Sequence, residues 1–85
     1  MAFVVVKKTY SFEINGRMTI SPDQYALFSS EEEAKEHIKN VAEKVRCNTD
    51  NYICYQDEYS LRYFARNQLS SFMNQFLFEF RTFEI

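Results

Sequence analysis

Only two strong breakers, Gly16 and Pro22, interrupt the 85 residues. Ordered elements must therefore follow one another through short polar connections, and there is no linker, repeat or low-complexity run at which to divide the chain. A chain of this length has room for one core, so the expectation is a single domain over 1–85 that buries about 60% of the surface its unfolded chain exposes. Aromatic side chains make up 18% of the sequence, nine Phe and six Tyr with no Trp. Each buried ring removes roughly 150–250 Å² from water, so few residues suffice for a core and a surplus is left for an interface.

The first segment reads as strand. In residues 2–14, Val4, Val6, Tyr10, Phe12 and Ile14 share one parity. Asn15-Gly16 then marks a hairpin, because both residues tolerate positive φ. A two-residue turn would set the apolar sets of the two arms on opposite faces. A three-residue loop, Asn15–Arg17, pairs Ile14 with Met18 and Phe12 with Ile20, and is preferred. Pro22 interrupts the second arm, which resumes through Tyr25 to Phe28.

Residues 30–46 read as a helix. Ser30 and Glu33 form a capping box. Ala34, Ile38, Val41, Ala42 and Val45 make an apolar stripe, with Glu31 and Glu32 at the start and Lys44 and Arg46 at the end, as the helix dipole favours. Residues 47–51 turn the chain and 52–56 read as a short strand. Asp57 is then expected to cap a second helix over 58–77, with Leu61, Phe64, Ala65, Leu69, Phe72, Met73 and Phe76 on its inner face. The tail from Phe78 to Ile85 reads as a strand whose apolar parity slips, which suggests a bulge or contact on both faces. The expected fold class is α+β, a small mainly antiparallel sheet covered on one face by two helices, in the order β-β-α-β-α-β.

No constellation of residues carries chemistry. His37, the single histidine, follows Glu33 by four residues, but a metal needs further ligands and the cysteines lack suitable spacing. Cys47 and Cys54 are expected as free, partly buried thiols. One glycine makes no phosphate loop, and Asp57-Glu58 reads as a cap. The expectation is a non-enzyme with no cofactor and no metal. A net charge of −2, from ten basic and twelve acidic residues, advertises neither nucleic-acid binding nor mimicry of nucleic acid. The opening residues lack a basic leader and no apolar run reaches the roughly 20 residues of a membrane span. Cytoplasmic residence is the expectation, host cytoplasm if the protein is viral, with no membrane partner.

The surface singled out is the outer face of the expected second helix together with the aromatic C-terminal strand. The helix face carries Tyr63, Asn67, Ser70 and Asn74, flanked by Tyr59, Arg62 and Arg66, and residues 59–78 include no acidic side chain. Tyr, Arg and Asn without Lys or Glu resemble a protein interface more than a solvated face. The first expectation is therefore a protein-binding module. A second reading uses Tyr59, Arg62, Tyr63 and Arg66 to stack on bases and meet phosphates of RNA or DNA. A third is a structural homo-oligomer, a homodimer for example, that pairs through an edge strand at the C-terminus.

The segment Tyr25-Ala-Leu-Phe-Ser-Ser-Glu-Glu-Glu-Ala-Lys-Glu-His-Ile38, a strand followed by a capped helix, resembles small accessory proteins of large tailed phages. It covers about 14 of the 85 residues. The resemblance implies a non-enzymatic phage accessory protein, an inhibitor or modulator with an anti-defence or host-takeover role, that acts by binding a host enzyme or a defence component. It transfers no residue role.

Overall fold

The structure is a computed structural model that describes residues 2–13, 16–66 and 75–85, with Arg66 described for its backbone alone. The elements run β1 (Phe3–Phe12), β2 (Met18–Ile20), β3 (Gln24–Phe28), α1 (Glu31–Arg46), β4 (Asn51–Gln56), β5 (Ser60–Arg66) and β6 (Gln75–Glu84). Every pairing is antiparallel. The sheet order is β2-β1-β6-β5-β4, and β3 pairs with the same strand β1 that β2 pairs with.

The long strand β1 explains the double partner. Its distal half meets β2, with Tyr10 opposite Ile20 and Phe12 opposite Met18, while its proximal half meets β3, from Phe3–Phe28 to Lys7–Gln24. Pro22 falls between the two partners, where its missing N–H removes no ladder bond. The hairpin register differs by two residues from the expected one: Phe12 pairs with Met18, not with Ile20. The N–H of Glu13 donates to the carbonyl of Arg17 at 2.9 Å, and Gly16 takes the positive φ of 83°. A two-residue shift preserves parity, so the apolar sets still share a face.

Helix α1 is needed by topology. Alternating antiparallel pairings make β3 and β4 run the same way at opposite edges, so the chain must travel back along the sheet between them. Sixteen helical residues span about 24 Å, close to the length of the strands beneath. The Ser30 hydroxyl accepts from the N–H of Glu33. The return bond of the expected box goes elsewhere, because the Glu33 carboxylate accepts from the N–H and the hydroxyl of Ser29. Ala34, Ile38, Ala42 and Val45 are the buried residues of the helix.

The expected order β-β-α-β-α-β is overturned. There is one helix among the described residues, and the observed order is β-β-β-α-β-β-β. Residues 60–66 and 75–77, assigned above to a second helix, are strand. Asp57 caps no helix. Its carboxylate accepts from the N–H of Tyr59 at 2.8 Å and from the Tyr55 hydroxyl at 2.6 Å, and it fixes a tight hairpin in which the Asp57 N–H donates to the Ser60 carbonyl. The expected parity slip in the tail is no bulge: β6 pairs with β1 without interruption from Gln75 to Glu84.

The core lies between α1 and one face of the sheet. Val5, Leu61 and Phe80 rise from β1, β5 and β6 to meet Ala34, Ile38 and Ala42. The alanines let the helix approach closely, and burial of Ile38 and Leu61, 1% and 0% exposed, contributes about 1.5–3 kcal/mol each. No helix among the described residues is long and apolar enough to cross a membrane.

Candidate functional site: the uncovered face of the sheet

Directly opposed residues in an antiparallel pair point to the same face, so the registers assign every strand position. The face under α1 holds Phe3, Val5 and Lys7 of β1, Phe78 and Phe80 of β6, and Leu61 and Tyr63 of β5. The other face holds Val4, Val6, Lys8 and Tyr10, then Leu77, Glu79, Arg81 and Phe83, then Arg62 and Phe64. Tyr25 and Leu27 of β3, Met18 and Ile20 of β2, and Tyr52 and Tyr55 of β4 extend it to both edges. None of the described elements packs over this second face.

Its composition is unusual for a face in contact with water. Nine large hydrophobic side chains are exposed among the described residues, and seven of them, Met18, Ile20, Tyr25, Leu27, Tyr52, Tyr55 and Phe83, project from it. Leu27 is 71% exposed and Tyr52 70%. An open antiparallel sheet is expected to alternate apolar-in with polar-out. Here the outward set also carries large apolar side chains toward both edges, and exposed apolar patches of this kind mark a contact site.

The centre of the face is polar. Arg62 reaches Glu79 at 2.9 Å through Nη2 and 3.1 Å through Nε, and Arg81 Nε lies 3.2 Å from the same carboxylate. Two guanidiniums share one carboxylate, which leaves the triad one positive charge in surplus. A dip of about 230 Å³ opens here, lined by Tyr55, Arg62, Glu79, Arg81 and Phe83 among others. At one margin, Lys8 meets Asp23 at 3.3 Å, and that bond holds the ammonium pKa above its ordinary value. At the other, Asp57 grips the Tyr55 hydroxyl. This hydrogen bond, with the N–H groups of Tyr59 and Ser60, keeps the Asp57 carboxyl below the usual carboxylate range and raises the Tyr55 phenol.

The residues expected to form one helix face are divided by the strand. Arg62 lies on the uncovered face. Tyr63 lies on the covered one, half-buried, with its ring 4.9 Å from Phe78, and burial pushes its phenol upward. Tyr59 also sits on the helix side, where its hydroxyl donates to Glu31 at 2.6 Å. Arg66 pairs with Gln75 at the end of β5. Asn67, Ser70 and Asn74 lie outside the described residues. The expected Tyr/Arg/Asn surface is therefore not one surface: of its members, Arg62 alone contributes a described side chain to the uncovered face. The residues that sequence reasoning passed over, Leu27, Tyr52 and Tyr55, belong to segments read as ordinary strand, whereas Glu79, Arg81 and Phe83 lie in the C-terminal strand that it did include in the working surface. The signal available was the apolar parity slip at Phe83.

Other sequence-based expectations resolve as follows. His37 is not fully solvated. It packs against Phe28 with ring centroids 5.1 Å apart, and burial, aided by nearby Lys44, lowers its pKa. Cys47 and Cys54 are free, and exposed rather than partly buried. Among the described residues no three His, Cys, Asp or Glu side chains gather where they could hold a metal ion. The C-terminal strand is not an edge: β6 is paired on both sides, by β1 and by β5. No oligomer can grow by strand addition along it, and the edges are β4 on one side and β2 with β3 on the other.

No family model matches the chain, and neither a curated protein nor a solved structure matches it.

Proposed function

We propose that the protein is a non-enzymatic binding module that docks another protein on the uncovered face of its sheet. The single observation that carries this is the placement of seven of nine exposed large hydrophobics on that face. The molecule extends 45 × 25 Å in its two longer directions, enough to offer the roughly 800 Å² per partner of a standard interface. Tyr and Arg, prominent on the face, are the residue types that dominate interface energetics.

The charge pattern supports a partner of complementary chemistry. One carboxylate between two guanidiniums asks for a second, so the fitting surface is apolar with an Asp or Glu that enters the dip between Tyr55 and Phe83. A second copy of the chain fits poorly, because a two-fold axis near the centre of the face sets one surplus charge against another. Nucleic acid fits less well too. Lys8, Arg62 and Arg81 are largely balanced by Asp23 and Glu79, which leaves one net positive charge, enough for a single carboxylate and too little to follow a phosphate backbone. The resemblance to phage accessory proteins agrees with such a mode of action but names no partner, and an inhibitory role is a further step that rests on that resemblance alone.

The test is an affinity capture run with the wild-type chain, with Leu27→Lys/Phe83→Lys on the open face, and with Glu36→Lys on the exposed side of α1. Each sample is split with and without nuclease. A protein retained by the wild type and by Glu36→Lys, lost with the double variant and indifferent to nuclease supports the reading, provided that the double variant melts as the wild type does. Retention by the double variant, or loss on nuclease treatment, overturns it. A dimer in light scattering that Leu27→Lys/Phe83→Lys dissolves would replace the partner by a second copy.

A further inference from the structure

On the opposite side of the sheet the helix leaves a corner uncovered. There α1, β1, β3 and β5 enclose a groove of about 500 Å³, lined among others by Val5, Lys7, Val41, Lys44, Tyr63 and Phe80. That volume falls within the roughly 300–1,000 Å³ of small-molecule sites. Its floor is apolar, and part of its rim is cationic. Lys7 Nζ lies 5.0 Å from the centroid of the Phe78 ring and 5.6 Å from that of Phe80, held by the ring faces. Lys44, in the last turn of α1, also lines the groove.

No carboxylate lines this groove, in a chain with twelve acidic residues against ten basic ones. Lys8 and Lys35, by contrast, are each tied to acids, Lys8 to Asp23 and Lys35 to Glu31, Glu32 and Glu58. Two ammonium groups over an apolar cleft, with no internal counter-ion on the lining, are arranged for a ligand that brings its own negative charge. His37 also lines the groove. Burial lowers its pKa, with a smaller contribution from Lys44.

We infer that this groove binds a small amphipathic organic anion, whose apolar body lies against Val5, Val41 and Phe80 while its carboxylate sits between Lys7 and Lys44. The Tyr63 ring, stacked on Phe78, lines the groove as well and adds aromatic surface for that body. The site is on the far face of the sheet from the proposed protein-docking surface, so neither stands or falls with the other.

The experiment uses naphthalene-2-carboxylate as the probe and its neutral amide as the control, titrated into the full chain by ¹H–¹⁵N NMR. The expected result is a saturable shift of the amides of Val5, Lys7, Val41, Lys44, Tyr63 and Phe80. The amide analogue should bind at least tenfold more weakly, Lys7→Gln/Lys44→Gln should bind the carboxylate at least tenfold more weakly, and Lys7→Arg/Lys44→Arg should recover most of the loss. Absence of saturable shifts, shifts centred on Leu27 and Phe83, or equal binding of acid and amide would overturn the inference. Equal binding by the Gln variant, with its melting temperature unchanged, would do the same.

Discussion

The two faces of the sheet are made of similar residues and do different things. Under the helix, Val5, Leu61 and Phe80 are 2%, 0% and 5% exposed. On the other side, Leu27 and Phe83, residues of the same kind on strands of the same sheet, are 71% and 49% exposed. One face has spent its apolar surface on the core. The other retains it, divided by the Arg62–Glu79–Arg81 triad into two apolar margins. An exposed apolar surface adds little to folding and invites association, so its persistence is best explained by something that covers it. The difference teaches that apolar content alone does not locate a core. The sheet register and the path of α1 decide which set is core and which is surface.

The strongest way to break this comparison is to truncate one residue from each face. Leu61→Ala should cost about 2–5 kcal/mol, the range for a leucine removed from a packed core. Leu27→Ser should stay within about 0.5 kcal/mol of the wild type, as a surface change does. Urea unfolding monitored by circular dichroism reads both. Comparable losses from the two would mean that the open face is already packed against something, a second copy included.

A smaller effect sharpens the picture at the edge of the open face, where Asp57 fixes Tyr55. The Asp57 carboxyl titrates below its ordinary value because it accepts from the Tyr55 hydroxyl and from backbone N–H groups. Its folded pKa lies below its unfolded one, so the stabilisation is present above the unfolded value of about 3.9 and is lost as the pH falls through the folded value. The group is almost fully exposed, so the effect is confined to the turn. Between about pH 5 and 2 the amides of Tyr59 and Ser60 should shift together, and Asp57→Asn should abolish that titration. Amides that titrate unchanged in Asp57→Asn would assign the effect to another carboxylate.

How legible this was in the sequence differs sharply between α1 and β5. Helix α1 announces itself through Ser30, through the acids of its first turn, and through a stripe that persists from Ala34 to Val45. Strand β5 is hidden. Alternation in Ser60–Arg66 is spoiled because Phe64, on the open face, is as apolar as Leu61 and Tyr63 on the covered one. With Leu61, Phe64 and Ala65 spaced three and four apart, a seven-residue strand imitates two turns of helix. Asp57 compounds the confusion, since the same side-chain acceptor that caps a helix also fixes a turn. The misreading and the candidate site have one cause. Where a sheet shows apolar residues on both faces, period-2 patterning fades, and the residues that erase it, Phe64 and Phe83, are those on the uncovered side. The acid-free character of residues 59–78 was visible, but a strand deals its members alternately to two faces, so Arg62 and Tyr63 part company. The Arg62–Glu79–Arg81 triad depends on the β5–β6 register and could not be read from spacing.

The central claim is that the uncovered face, and not the helix side, meets the partner. The most direct measurement is photo-crosslinking in cells that express the protein, with a benzophenone amino acid in place of Leu27, Phe83 or, as the control, Glu36. The account expects Leu27 and Phe83 to yield the same crosslinked protein and Glu36 to yield none. Crosslinking from Glu36 with silence at Leu27 and Phe83 would contradict it and would move the working surface to the helix.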